Sequence, residues 1–159
     1  ATPLAVLKQG GEFSFSYMDL FLGSTGGCLG ETCALALILG GVYLIVRRVI
    51  SPVIPVTYLA TVTVISLIAG RDPLVDLLTG GLMIGAFFMA TDYTTSPISR
   101  NGRIIYAIGC GLFTMLIRMF ASLPEGVSYS IVLMNILVPL IERVSLPKPF
   151  GSRKGDGVK

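Results

Sequence analysis

Residues 22–33 read L-G-S-T-G-G-C-L-G-E-T-C, and residues 34–46 follow without a break as A-L-A-L-I-L-G-G-V-Y-L-I-V. The first run is rich in glycine and carries one carboxylate, Glu31, whereas the second is as apolar as lipid. Irregular backbone persists at membrane depth only where protein or a water-filled cavity covers its polar groups. The two runs together predict a membrane protein with a broken, buried segment, and they make Glu31 a candidate functional residue.

The composition of the chain agrees with a membrane location. Of its 159 residues, 53% are hydrophobic and 13% are charged, whereas a soluble domain has about 25% charged residues. There is no histidine, which removes His-ligated haem, zinc and acid–base chemistry, and three cysteines are poor evidence for disulfides. The chain begins with Ala1 and its first twenty residues lack the features of a signal peptide, so we expect a fragment or a processed product.

The apolar blocks predict an all-α integral membrane fold with five transmembrane helices and glycine-rich broken segments, since each block is near the roughly 20 residues that a crossing needs. The predicted helices are approximately 31–46, 52–69, 74–91, 103–120 and 127–144. Three parts are expected in the chain: an outward-facing loop and interfacial segment at 1–19, a transmembrane domain at 20–144 and a cytoplasmic tail at 145–159. In the third helix, Gly80, Gly81 and Gly85 form a small-residue pattern that lets another helix approach closely.

The orientation follows from the basic residues. With five crossings, only Lys8 and Arg71 lie on one side, and Arg118 is expected to extend its guanidinium to that same interface. The other side collects Arg47, Arg48, Arg100, Arg103, Arg143, Lys148, Arg153, Lys154 and Lys159. By the positive-inside rule, the tail is cytoplasmic and the N-terminal loop faces outward.

Ionisable and polar groups beside apolar blocks are the candidate site residues, because such groups are costly at membrane depth. Glu31 and Asp92 each adjoin an apolar block, and each is either a functional group or an interfacial helix or loop cap. Asp76 lies in the first turn of the third helix, where capping is the simpler interpretation. Asn135 with Pro139 marks either a broken helix or, more commonly, an interhelical hydrogen bond.

Three ordered motifs carry a resemblance to a known family. They are A-T-P-L-A at residues 1–5, G-S-T-G-G-C-L-G-E-T at residues 23–32, and F-M-A-T-D-Y at residues 88–93 followed by L-P-E-G at residues 123–126. Their order and spacing resemble the C-terminal half of the NqrB/RnfD family. This family includes RnfD of the Rnf complex and NqrB of the sodium-pumping NADH:quinone oxidoreductase. The resemblance covers essentially the whole chain, and it is specific through the ordered set.

The resemblance implies covalent flavin at Thr2. In this family FMN is attached by a phosphoester to a threonine hydroxyl in an outward-facing loop, and Ala1-Thr2 matches the last two residues of that motif. A further, non-covalent flavin is left open. Glu31, Asp92 and Asn135 are expected to line the flavin pocket or an ion path, and no catalytic residue or metal ligand is expected.

The resemblance also implies a function and a fold. The chain would be an electron-relay component of an ion-translocating ferredoxin:NAD⁺ oxidoreductase that couples electron transfer to Na⁺ or H⁺ transport. Its partners would be the other subunits of the Rnf complex and the lipid bilayer of the inner membrane, with no nucleic acid. The fold would be one half of a urea-transporter-like inverted repeat. Two alternatives stay open: the NqrB-type component of the quinone-reducing sodium pump, and a channel or transporter without redox function.

Overall fold

All regular structure in the described part of the chain is helical. The computed structural model describes Met18, Phe21 and residues 33–121 and 126–145. In chain order the helices are α1 (Ala34–Val46), α2 (Val53–Ile68), α3 (Pro73–Leu78), α4 (Leu82–Ile84), α5 (Arg100–Phe120) and α6 (Val127–Ser145), with a π-helical segment at Gly85–Met89 after α4. The predicted loop at 1–19, the glycine run with Glu31 and the tail after residue 145 lie almost entirely outside these residues.

Helices α2, α5 and α6 form the core, because α5 packs against both of its neighbours. Tyr58 of α2, Tyr106 and Met115 of α5 and Met134 of α6 are all buried there. A Cβ atom added at Gly111 would lie 2.8 Å from side-chain atoms of Thr61 on α2, closer than real Cβ contacts come. The glycine therefore sets the close approach of α5 to α2, as small residues do in membrane helix pairs.

The predicted third helix is not continuous, which corrects the single span expected at 74–91. Helix α3 ends at Leu78, and Thr79 is extended. Gly80 and Gly81 then have φ angles of +67° and +65°, in the left-handed region that glycine adopts without steric cost. Two successive left-handed residues end a right-handed helix, so the chain restarts as α4 and its π-helical extension.

The small-residue pattern in this segment does bring helices together. Gly85 faces Val127 and Ile131 of α6, and an added Cβ atom would overlap the Val127 side chain. Helix α6 itself runs unbroken through Pro139. The alternative of a broken helix at Asn135 and Pro139 is therefore wrong.

Two of the described helices have the length and composition of membrane-spanning helices, and four present apolar surfaces. Helices α5 and α6, with 21 and 19 residues, are long and apolar enough to cross a bilayer, and α1 and α2 are shorter apolar helices. Each of the four presents large exposed hydrophobic side chains, among them Leu39, Ile68, Leu116 and Ile136. Contiguous apolar surface of this kind is the surface that lipid covers.

A buried polar stripe and a broken helix

Four polar or polarisable side chains form a buried stripe along α5. Tyr106, Cys110, Thr114 and Arg118 are spaced four residues apart, so they lie on one face of the helix. Each is at most 1% exposed. At 1.5 Å per residue the stripe extends about 18 Å, more than half of the roughly 30 Å hydrocarbon core of a bilayer. Polar groups are thus buried across much of the thickness of the protein.

Arg118 binds the backbone at the helix break. Its NH1 donates to the carbonyl oxygen of Asp76 at 2.6 Å, and its NH2 donates to those of Thr79 at 2.8 Å and Gly80 at 3.3 Å. The last carbonyls of a helix have no partner within it, and a cation near them is favoured by the helix dipole. The Arg118 guanidinium is therefore buried in protein, where the break supplies the carbonyl groups that bind it. Its location at the membrane interface stays a prediction.

Asp76 compensates the charge of the buried guanidinium. Its carboxylate lies 3.9 Å from NH1 of Arg118 and accepts hydrogen bonds from the Ser66 hydroxyl at 2.6 Å and from Arg71 at 2.9 and 3.0 Å. The bond to Asp76 raises the pKa of the Arg71 guanidinium above its ordinary value. Capping was the wrong prediction for Asp76, because Asp72 caps α3 by accepting from the Leu74 amide.

Three hydroxyl groups join the core helices in the middle of the stripe. The Thr114 hydroxyl lies 2.6 Å from that of Tyr58 on α2 and 2.7 Å from that of Ser130 on α6. The Cys110 carbonyl is a further acceptor within reach of the Thr114 hydroxyl, and the Val127 carbonyl is one within reach of the Ser130 hydroxyl. Buried polar groups are costly unless paired, and here each hydroxyl has partners. The cluster therefore fixes the packing of α2, α5 and α6.

Asn135 is hydrogen-bonded to a residue of the stripe, whereas Asp92 has no such bond among the described residues. The Tyr106 hydroxyl donates to Oδ1 of Asn135 at 2.6 Å, which is the interhelical hydrogen bond that the sequence favoured. Asp92 lies in the exposed turn after the π-helical segment and accepts from the Thr95 hydroxyl at 3.1 Å. Among the described residues no hydrogen bond joins Asp92 to Asn135. Thr2 and Glu31 lie outside them.

The sequence contained a signal for the stripe that its interpretation missed. Polar residues at i, i+4, i+8 and i+12 in an otherwise apolar block share one helix face. In a membrane, such a face is expected to be buried against other helices and not to face lipid. The partner residues on α2 and α3 gave no comparable signal, because their pairing with α5 is set by tertiary packing.

These features define a helical membrane protein with a polar interior and a broken helix. The chain belongs to the NQR2, RnfD, RnfE family, whose model matches residues 1–151.

Curated relatives carry the names of ion-translocating complexes. The chain is 54% identical over 157 residues to the D subunit of the Na⁺-translocating ferredoxin:NAD⁺ oxidoreductase complex of Acetobacterium woodii, covering 97% of this chain and 49% of that protein. It is 43% identical over 171 residues to the proton-translocating counterpart of Clostridium ljungdahlii, covering 97% of this chain and 51% of that protein. The chain thus spans about half the length of these relatives.

Proposed function

We propose that the chain is part of an electron-relay component of an ion-translocating ferredoxin:NAD⁺ oxidoreductase, the Rnf complex. The observation that carries the proposal is the 54% identity over 97% of the chain to the D subunit of such a complex. The other subunits of the complex are its partners, and the overall reaction belongs to the assembly. The coupling ion is Na⁺ or H⁺, because relatives of both kinds are similar to this chain.

Thr2 is the proposed attachment point of FMN through a phosphoester. The motif A-T-P-L-A at residues 1–5 supports it, and family membership covers that motif. Bound flavin exchanges one or two electrons, so it can join single-electron carriers into a relay, while the protein sets its position and surroundings. A phosphoester retains the cofactor at an aqueous membrane face, where a freely bound flavin would be lost.

The proposed architecture is five crossings that form one half of a urea-transporter-like inverted repeat in the inner membrane. The broken segment between α3 and the π-helical turn supports it, because broken helices covered by protein are typical of inverted-repeat transporters. The distribution of arginine and lysine supports a cytoplasmic tail and an outward N-terminal loop.

Glu31, Asp92 and Asn135 are the proposed lining of the flavin pocket or of an ion path. Asn135 has the strongest structural support, since Tyr106 connects it to the buried stripe. For Asp92 the exposed turn supports a position at the mouth of such a path. A further non-covalent flavin is also part of the proposal, without assigned residues.

Covalent flavin distinguishes this proposal from a channel or transporter without redox function. The full-length protein, purified from cells with an active flavin transferase, is expected to give a fluorescent band on a denaturing gel under ultraviolet light. A covalent bond survives denaturation, whereas dissociable flavin is washed away. A band without fluorescence contradicts the proposal and favours a non-redox transporter.

Neutral substitutions test the two acidic residues. In the intact complex, Glu31→Gln and Asp92→Asn are each expected to lower ferredoxin-dependent NAD⁺ reduction, or the ion movement coupled to it, by roughly tenfold or more, as loss of one charged group at a working site does. Asp72→Asn is the matched control, because that carboxylate caps α3. If both variants retain turnover and ion movement at the level of the control, the two residues are caps only.

An NqrB-type component of the sodium-pumping NADH:quinone oxidoreductase is the second candidate, because the matching family includes NQR2 as well as RnfD. The names of the similar relatives favour the ferredoxin-dependent complex. The two differ in electron acceptor, so reduction of NAD⁺ by ferredoxin supports the first and reduction of quinone by NADH supports the second.

A further inference from the structure

A cavity of about 380 Å³ opens at the end of the helix bundle opposite Arg71 and the α3 break. Its walls come from the turn between α1 and α2, from the turn after the π-helical segment and from the first turn of α5. Two arginines, Arg48 and Arg103, line it together with Ser51 and Ser96. The volume suits a small headgroup, and the lining combines basic residues with hydroxyl-bearing ones.

The electrostatics of the cavity favour an anion. None of the described residues that line it is acidic. The carboxylates on the adjoining elements accept hydrogen bonds there: Asp92, between the lining residues Thr91 and Tyr93, accepts from Thr95, and Glu142 accepts from the Ile98 amide at 3.0 Å. The first turn of the 16-residue helix α2 also borders the cavity, and its amide groups add partial positive charge.

The backbone orients the Arg103 side chain and places Arg48 in the turn that lines the cavity. Nε of Arg103 donates to the Pro97 carbonyl at 3.0 Å, which orients its guanidinium beside the cavity. Arg48 has a φ of 57°, and this left-handed residue reverses the chain between α1 and α2. A conformation that favours glycine is thus occupied here by an arginine, whose side chain borders the cavity.

Exposed apolar side chains lie in and next to the segments that form the rim of the cavity. Val49 lines the cavity and is 65% exposed, and Val46 and Ile98, within two residues of lining residues in the sequence, are 72% and 76% exposed. Val46 belongs to the apolar surface of α1, the surface that acyl chains cover in a bilayer. A ligand in the cavity can therefore place a charged group between the arginines while its hydrocarbon tails lie against the rim.

We propose that this cavity binds the phosphate of an anionic phospholipid. Arginine forms charge-assisted, often bidentate hydrogen bonds to phosphate, and basic pockets between membrane helices near the cytoplasmic surface are suited to anionic headgroups. The occupant is a lipid and not a soluble anion, because only a lipid has hydrocarbon tails that can cover the apolar side chains beside the cavity. The lipid would fasten the α1–α2 turn to the start of α5.

Arg48→Gly provides a sharp test, since glycine accommodates the positive φ and the substitution removes only the side chain. The probe is fluorescently labelled phosphatidylglycerol, titrated onto the detergent-solubilised full-length protein in roughly 0.5 M salt, which screens diffuse attraction. We expect the affinity to fall roughly tenfold, the factor equivalent to one charge-assisted hydrogen bond. Arg103→Gln is expected to have a similar effect.

Arg47→Gln is the matched control, because it removes the same charge from the neighbouring residue, which does not line the cavity. We expect it to bind the probe like the unsubstituted protein, and phosphatidylcholine to compete poorly. Equal losses in Arg47→Gln and Arg48→Gly would overturn the proposal in favour of diffuse attraction. Displacement of the probe by millimolar inorganic phosphate would overturn the lipid as occupant in favour of a soluble anion.

Discussion

Replacing Arg118 by methionine is expected to destabilise the folded protein by about 3–5 kcal/mol, the cost of breaking a buried ion pair by removing one partner. The substitution keeps an unbranched stem but removes the donors for three backbone carbonyls at the break. It also leaves Asp76 without the buried cation. Arg118→Lys keeps the charge without the forked geometry, so its stability should fall between those of the wild type and Arg118→Met.

Thermal unfolding of the full-length protein in detergent measures this effect, with a thiol-reactive dye that reports exposure of buried Cys110. Arg143→Met is the matched control, because Arg143 is exposed in the last turn of α6 and should change stability by no more than about 0.5 kcal/mol. Equal stability of the Arg118 and Arg143 variants would show that the guanidinium does not hold the break.

Thr2→Val is expected to remove the covalent flavin and to reduce ferredoxin-dependent NAD⁺ reduction to background. Valine has nearly the shape of threonine but lacks the hydroxyl that the phosphoester requires. Membrane insertion and the assembled complex should persist, because the substitution removes one hydroxyl from the loop predicted at 1–19 and leaves the apolar blocks unchanged. Thr25→Val, a second threonine of the N-terminal region, is the control and should retain both fluorescence and turnover.

A fluorescent band that persists in Thr2→Val would place the attachment elsewhere in the protein. Loss of fluorescence with full turnover would show that electrons do not pass through this flavin. The gel and the turnover assay therefore separate the location of the cofactor from its role.

The ends of four helices could be predicted closely from the sequence. The first, second, fourth and fifth predicted spans begin and end within about three residues of α1, α2, α5 and α6. Their limits are chemical: Arg47 ends the first apolar block, and Pro52 begins the second. Such signals depend only on residues that are close in sequence, so tertiary packing changes the helix limits little.

The break between α3 and α4 could not be predicted as securely, because Gly80 and Gly81 fit two structures equally well. Glycine permits both a close helix contact and a left-handed backbone, and only the folded chain selects one. Gly85, which follows in the same segment, takes the first of these roles against Val127.

The pairing of Arg118 with the break is a tertiary property. It joins residues 42 positions apart, and the four-residue spacing that puts Arg118 on the buried face of α5 does not indicate which backbone groups its guanidinium binds. The interhelical hydrogen bond of Asn135 could be predicted more readily, because a single amide in an apolar helix has few partners other than groups on a neighbouring helix. Thr2 and Glu31 remain predictions from sequence and family.

Mass spectrometry of the peptide that contains Thr2 tests the central proposal most directly. The full-length wild-type protein, isolated from cells with an active flavin transferase, is digested and its fluorescent peptide is sequenced. We expect FMN on Thr2, within the run A-T-P-L-A-V-L-K at residues 1–8. An unmodified Thr2 in that peptide would contradict it.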